Sequence, residues 1–217
     1  MLDHVFTDAI GALRDAFEGA FLERQAFEEH FQVDVLLGDV TWETSYGLPG
    51  EGQPPRVVAH ITFDWPTWSQ TAYRRWYVEE VLDEQPTIEM EIVFRVQRLS
   101  EQPDPVLVQS VLPDTSPLIG NERLERAGAT VEIAYLADGE TDADPGDRSP
   151  TPGLAVPDYA IEITYEGVYE LAEETLADGA SKLLDEHFGT LGSWIATALV
   201  KLGDLRLNFL PADEPES

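Results

Sequence analysis

Apolar and polar side chains alternate along a series of short segments, and two stretches of helical period frame that series. A period of two puts every other side chain on one dry face, so the chain is narrowed to a sheet with helices laid against it. Val33, Val35 and Leu37, then Val57, Ala59, Ile61, Phe63 and Trp65, mark two strands joined by the Gly- and Pro-rich connection 47–55. Ile88, Met90, Ile92, Phe94 and Val96 alternate with Glu89, Glu91, Arg95 and Gln97 in a third. A shorter fourth strand is expected over 106–112, between Pro105 and Pro113. Ala129, Val131, Ile133 and Tyr135 mark a fifth, Tyr159, Ile161, Ile163 and Tyr165 a sixth, and Leu205, Leu207 and Phe209 a last one.

The framing segments follow the other period. Leu2, Val5, Phe6, Ala9, Ile10, Leu13, Ala16, Phe17, Ala20, Phe21 and Phe27 recur at steps of three and four, which predicts an N-terminal helix with one covered face. A late helical region is expected over 169–202, broken near Gly189 and Gly192, with Leu171, Leu176, Leu183, Leu184, Phe188, Ile195 and Leu199 inward. Between the strands, Pro66, Thr67 and Ser69 read as a helix start and Pro86 as a stop, although Tyr73, Trp76, Tyr77 and Val78 also suit a strand; a helix is expected over 66–85. Residues 115–127 read as a loop with one helical turn. The sum is a single α+β domain over 1–210, an antiparallel sheet with N- and C-terminal helices packed on one face and the other face left to solvent or a neighbour.

Charge sets the second constraint. Against 13 Lys and Arg stand 42 Asp and Glu, a formal net charge of -29, and only Lys182 and Lys201 are lysines. Such a surface repels itself and needs dense counter-ions or a cationic partner. Molar intracellular salt, as in salt-accumulating halophiles, meets that need. Disorder is excluded by 9 Phe, 7 Tyr and 5 Trp in a chain that is 43% hydrophobic. The absence of Cys excludes disulfides, thiolate metal sites and a Cys nucleophile. With no long apolar run, and Asp3 and Asp8 where a signal peptide would be cationic, the chain is expected to be cytoplasmic and soluble. Nucleic acid and anionic membranes are unsuited to so few cations.

Few constellations carry chemistry. Residues 137–157 form an expected exposed loop whose five carboxylates between Asp138 and Asp147 invite a calcium reading. From Asp142, however, the sixth and twelfth positions are Asp147 and Gly153, where an EF-hand needs Gly and Glu. His60 and Asp64 share the polar face of a strand, while the other histidines, at 4, 30 and 187, lack zinc-site spacing. Neither a nucleophile elbow nor a phosphate-binding Gly-rich loop with its Lys occurs, so no cofactor is expected. One cluster departs from the acidic background: Trp65, Trp68, Tyr73, Arg74, Arg75, Trp76 and Tyr77. These residue types carry interface hot spots, and equally they could complete a core, with the arginines neutralising Glu79 and Glu80.

The helix through Phe31 leading into Val33 and Leu37, the strand ending Phe63, Asp64, Trp65, Pro66, and the strand from Tyr159 to Tyr165 resemble the order of elements in tail-terminator and neck proteins of tailed viruses. The resemblance implies a non-enzymatic, ring-forming structural subunit of a virion, assembled in the cytoplasm of a high-salt archaeal host, with other structural proteins as partners. From the residues alone, a small ligand-binding or chaperone-like domain with an apolar cavity stays open, as does a metal-dependent enzyme built on His60 and Asp64. The acidic tail 211–217 adds charge and nothing to bury.

Stability is expected to rise steeply with salt, because the Debye length falls from about 10 Å at about 0.1 M to below about 3 Å above 1 M. Denaturation midpoints measured at both extremes check this, and equal midpoints would remove the high-salt reading.

Overall fold

A computed structural model describes residues 3–20, 28–36, 39–48, 54–136, 156–176 and 181–211. Helix α1 (Asp3–Ala20) precedes strands β1 (Glu28–Leu36), β2 (Asp39–Gly47) and β3 (Val57–Trp65). Helix α2 (Thr67–Glu79) leads to β4 (Thr87–Leu99), and α3 (Pro105–Ser110) to β5 (Glu125–Leu136) and β6 (Val156–Glu170). Helices α4 (Glu173–Leu176) and α5 (Ser181–Gly203) follow. The strands form one six-stranded antiparallel sheet in the order β1-β2-β3-β4-β6-β5. The α+β class expected from the two periods is the class observed.

Alternation builds the dry face as expected. Val57, Ala59, Ile61, Phe63 and Trp65 of β3 are buried, with Ile88, Met90, Ile92, Phe94 and Val96 of β4 and Ile161, Ile163 and Tyr165 of β6. Helix α5 lies against this face through aromatic rings. Phe188 meets Phe63 at 5.5 Å and Tyr169 at 5.0 Å between centroids, and Trp194 meets Phe94 at 5.5 Å and Tyr165 at 5.1 Å, all edge-on. Edge-on geometry suits the ring quadrupoles and adds about 0.5–1.5 kcal/mol per pair beyond the buried area. Helix α1 packs on α5, with Ala9, Ala12 and Leu13 buried in the same core.

Several expectations are corrected. Strand β2 lies between the first two anticipated strands, with Trp42, Thr44 and Tyr46 buried. Residues 28–31 belong to β1 and not to the first helix. The strand expected over 106–112 is the short helix α3. Pro105 occupies its first turn, where a missing N–H costs nothing, and the Asp104 carboxylate caps it by accepting from the Val106 N–H at 2.9 Å. In 115–127 the chain makes bridges, Thr115 to Glu125 and Ile119 to Glu122, around a turn at Gly120 with φ of +64°, in place of a helical turn. The anticipated last strand reduces to a single bridge between Phe209 and Leu99.

Helix α5 runs unbroken through Gly189 and Gly192. Gly192 is there for helix contact: a Cβ at this position would stand 2.9 Å from the Ala16 Cβ and 3.0 Å from the Leu13 carbonyl oxygen. The weak helix propensity of glycine is outweighed by that close approach. Of the acidic loop, only Val156 and Pro157 are described, and they open β6; its remainder and tail residues 212–217 lie outside the described residues.

Gly192→Val is expected to force α1 away from α5 and destabilise the protein by about 1–3 kcal/mol, the usual cost of overpacking. Urea midpoints of the two proteins in high salt measure it.

Candidate interaction surface

Helix α2 is anchored by side-chain hydrogen bonds. It fills the crossing from β3 to β4, and its inner side is tied to both strands by one hydroxyl. Ser69 is fully buried; its Oγ accepts from Trp65 Nε1 at 2.9 Å and from the Thr87 N–H at 2.8 Å, and donates to the Thr87 carbonyl at 2.7 Å. Gln70 Nε2 donates to the Trp65 carbonyl at 2.8 Å. Tyr73 stands edge-on to Trp65 at 5.7 Å and also touches Trp76. The helix ends at Glu80, which takes the left-handed conformation with φ of 54° and donates its N–H to the Trp76 carbonyl.

This anchoring divides the aromatic and arginine cluster in two. Trp65 and Tyr73 are core residues, and Trp76 is half-buried against the core. Trp68, Arg74 and Arg75 face outward, Trp68 being 43% exposed. The Tyr77 side chain lies outside the described residues. Of the two acids named by the neutralising alternative, Arg75 approaches Glu79 with Nε at 3.8 Å, while its Nη2 binds the Asp83 carboxylate at 2.7 Å. All three groups are about half exposed or more, so these pairs hold the following loop in place and stabilise little. Between the helix and that loop runs an open groove of about 510 Å³ lined by Trp68, Ala72, Arg75, Val81, Asp83 and Glu84. Val78, Val81 and Leu82 extend its exposed apolar margin.

The sheet face turned away from α5 is polar and carries the residues considered for metal or acid-base work. His60 and Asp64 do not converge. His60 Nδ1 shares a 2.6 Å hydrogen bond with Ser45 Oγ, whereas Asp64 accepts from Thr41 Oγ1, each pair bridging β3 and β2. Burial, assisted by the nearby Arg95 charge and opposed by Glu162, lowers the His60 pKa. Among the described residues no three His, Asp or Glu side chains gather as a metal site. Arg95 bridges β4 to its neighbours by donating to Glu132 at 2.8 Å and to Glu162.

Across this face one row reads Glu43, Thr62, Glu91, Glu166 and Glu125, residue opposite residue on five strands. Like charges directly opposed destabilise a sheet. Desolvation, with the fields of Glu166, Asp64 and Glu162, raises the Glu91 pKa above its ordinary 4.5. A second polar pair is internal: Tyr169 Oη and His187 Nδ1 are 2.8 Å apart beside a cavity of about 100 Å³, and burial pushes the Tyr169 hydroxyl up to about 12. That cavity is below the range of about 300–1,000 Å³ typical of small-molecule sites.

The partners of Ser45, Arg95 and His187 were outside the reach of sequence reasoning, since each pairing depends on strand register or helix placement. No family model matches the chain, and comparison with curated proteins and with solved structures gives no match. Among the described residues no helix is long and apolar enough to cross a membrane.

A carboxylate whose folded-state pKa is raised lowers stability as pH climbs from its unfolded value through the folded one. Glu91→Gln is therefore expected to raise the denaturation midpoint at about pH 7 in about 0.1 M salt, and to do so far less at about pH 3.5 or in molar salt. Denaturant titrations over that grid test it; an unchanged or lowered midpoint at neutral pH and low salt would contradict it.

Proposed function

We propose that the protein is a non-enzymatic structural subunit that works through contacts with copies of itself and with other structural proteins in a high-salt setting, as a tail or head-tail connector component of a virion. The observation that carries this reading is the outer side of α2. An exposed tryptophan and two arginines stand on a helix locked to the sheet by Ser69, so a partner meets a surface already ordered, and little side-chain entropy remains to be lost. Trp68 is the anchor, the groove to Val81 receives the partner's apolar side chain, and Arg74 meets one of the partner's carboxylates. The opposed carboxylates of the sheet face support the high-salt part, because only screening makes that row inexpensive.

The ligand-binding alternative needs an apolar hollow between helix and sheet. That position is occupied by two groups of rings, Phe63 and Tyr169 around Phe188 and Phe94 and Tyr165 around Trp194. Assembly is the better supported reading.

Trp68→Ala should weaken association by about 2 kcal/mol, as loss of a hot-spot ring does, and shift the monomer's stability by no more than about 0.5 kcal/mol. Arg75→Ala should act more weakly, since its charge is already engaged by Asp83. Mass photometry and thermal melts in about 2 M salt, where the Debye length is under about 3 Å, give both numbers. Unaltered association on loss of Trp68 would remove α2 as the contact.

A further inference from the structure

Strand β5 is the outer strand of the sheet next to β6, and the chain treats its two halves differently. The first half is covered. The Arg126 N–H donates to the Asp114 carbonyl at 2.9 Å, the Ser116 N–H donates to the Leu124 carbonyl at 2.9 Å, and the Arg126 guanidinium reaches both the Gln109 carbonyl and Asp114. A register shift between Arg126 and Gly128 then separates this capped end from the remainder. From Gly128 onward no described residue outside β6 pairs with the strand.

Beyond the register shift at its start, this stretch has few of the sequence devices that usually blunt an edge. From Ala127 to Leu136 there is no Pro and no Lys, and Glu132 is the one charged residue, in a chain where 25% are charged. Glu132 shares the Arg95 guanidinium of its own chain, at 2.8 Å, with Glu162. Ile133, at 48% exposure, and Ala134 are exposed among the described residues. For a molecule with a net charge of -29, a second copy is repelled from most directions, and a stretch with one charged residue in ten adds little to that repulsion.

We infer that β5 pairs with β5 of a second copy, antiparallel about a two-fold axis at Val131, so that the sheet of one subunit continues into that of the other. An edge strand presents alternating N–H and C=O groups that are self-complementary in this arrangement. Charge excludes one register near the middle of the strand, and Val131 is the other central position of the stretch 127–136. Centred on Val131, Thr130 faces Glu132 of the other copy and Ala129 faces Ile133, whereas centring on Glu132 would oppose two carboxylates. The inference rests on the assembly reading above and names one of its contacts, separate from α2.

The natural absence of Cys makes the test clean. Directly opposed residues of an antiparallel pair have Cα atoms about 4.5–5.5 Å apart, within disulfide range, while a residue one position away from the axis is too distant from its own symmetry mate. Full-length Val131→Cys in about 2 M salt under mild oxidant is expected to form a covalent dimer, and Thr130→Cys is not. Hydrogen exchange of the wild-type protein should show the outward amides of 128–134 protected in the oligomer, with protection lost in Thr130→Glu/Ile133→Glu. An oligomer without the Val131 crosslink and with those amides unprotected overturns the β5 contact and leaves the assembly reading standing. A crosslink at Thr130 in place of Val131 overturns the register. A protein that stays monomeric at all concentrations overturns both.

Discussion

Two aromatic groups hold α5 to the sheet, Phe63 with Tyr169 and Phe188 at one end, Phe94 with Tyr165 and Trp194 at the other. The placement of α1 follows from them. Because α5 is fixed at two points, α1 has a surface to pack on, and the glycine at position 192 sets how near it comes. The tryptophans are divided by the same logic: Trp42, Trp65 and Trp194 belong to the dry side, and Trp68 is left outside when α2 is tied down by Ser69. A core filled by rings in edge contact has little room to adjust, so the surfaces it supports are rigid.

Against that dry layer, the opposite face carries the electrostatic load. Arg95 answers Glu132 and Glu162, but the row through Glu91 and Glu166 has like charges face to face. Such an arrangement is disfavoured in dilute solution and becomes tolerable when counter-ions are dense. The same property governs association. Under the proposed assembly, contacts between copies would favour places where acids are sparse, such as the outer half of β5, which has one charged residue in positions 127–136.

Strands β3, β4 and β6 were legible because each has a clean alternation of apolar and charged residues over its central span. Helix α2 was legible from Pro66, Thr67 and Ser69 despite β-favouring Tyr73 and Trp76. Strand β2 carried the same signal in Val40, Trp42, Thr44 and Tyr46, but a buried threonine hid the alternation. In α3 the Val-rich composition spoke for a strand, while the local chemistry of Asp104 and Pro105 decided for a helix. Gly189 and Gly192 read as a break because sequence does not reveal that another helix crosses there. Of the candidate surface, the cluster's position was visible, but its division was not: which tryptophan is covered depends on the hydrogen bonds of Ser69 across 18 residues. The Ser45–His60 pair, separated by 15 residues, and the Arg95 bridges, spanning 37 and 67, depend in the same way on register.

Position in the fold gives the two proposed contacts different consequences. Helix α2 joins two central strands, β3 and β4, and so stands at an end of the sheet, whereas β5 is its lateral edge. A two-fold contact through β5 is closed by its own symmetry and stops at two copies. Growth beyond a pair would need a second surface that points elsewhere, and the proposed contact on α2, with its mixed groove of Trp68, Val81, Arg75 and Asp83, is placed for that. A heterologous contact of that kind closes into a ring or extends into a stack according to its rotation. An edge contact formed of backbone hydrogen bonds is also less affected by ionic strength than one formed of exposed ion pairs. In concentrated salt, where ion pairs such as Arg75 with Asp83 are largely screened, the proposed contacts through the ring of Trp68 and the outer half of β5 are the ones that would persist.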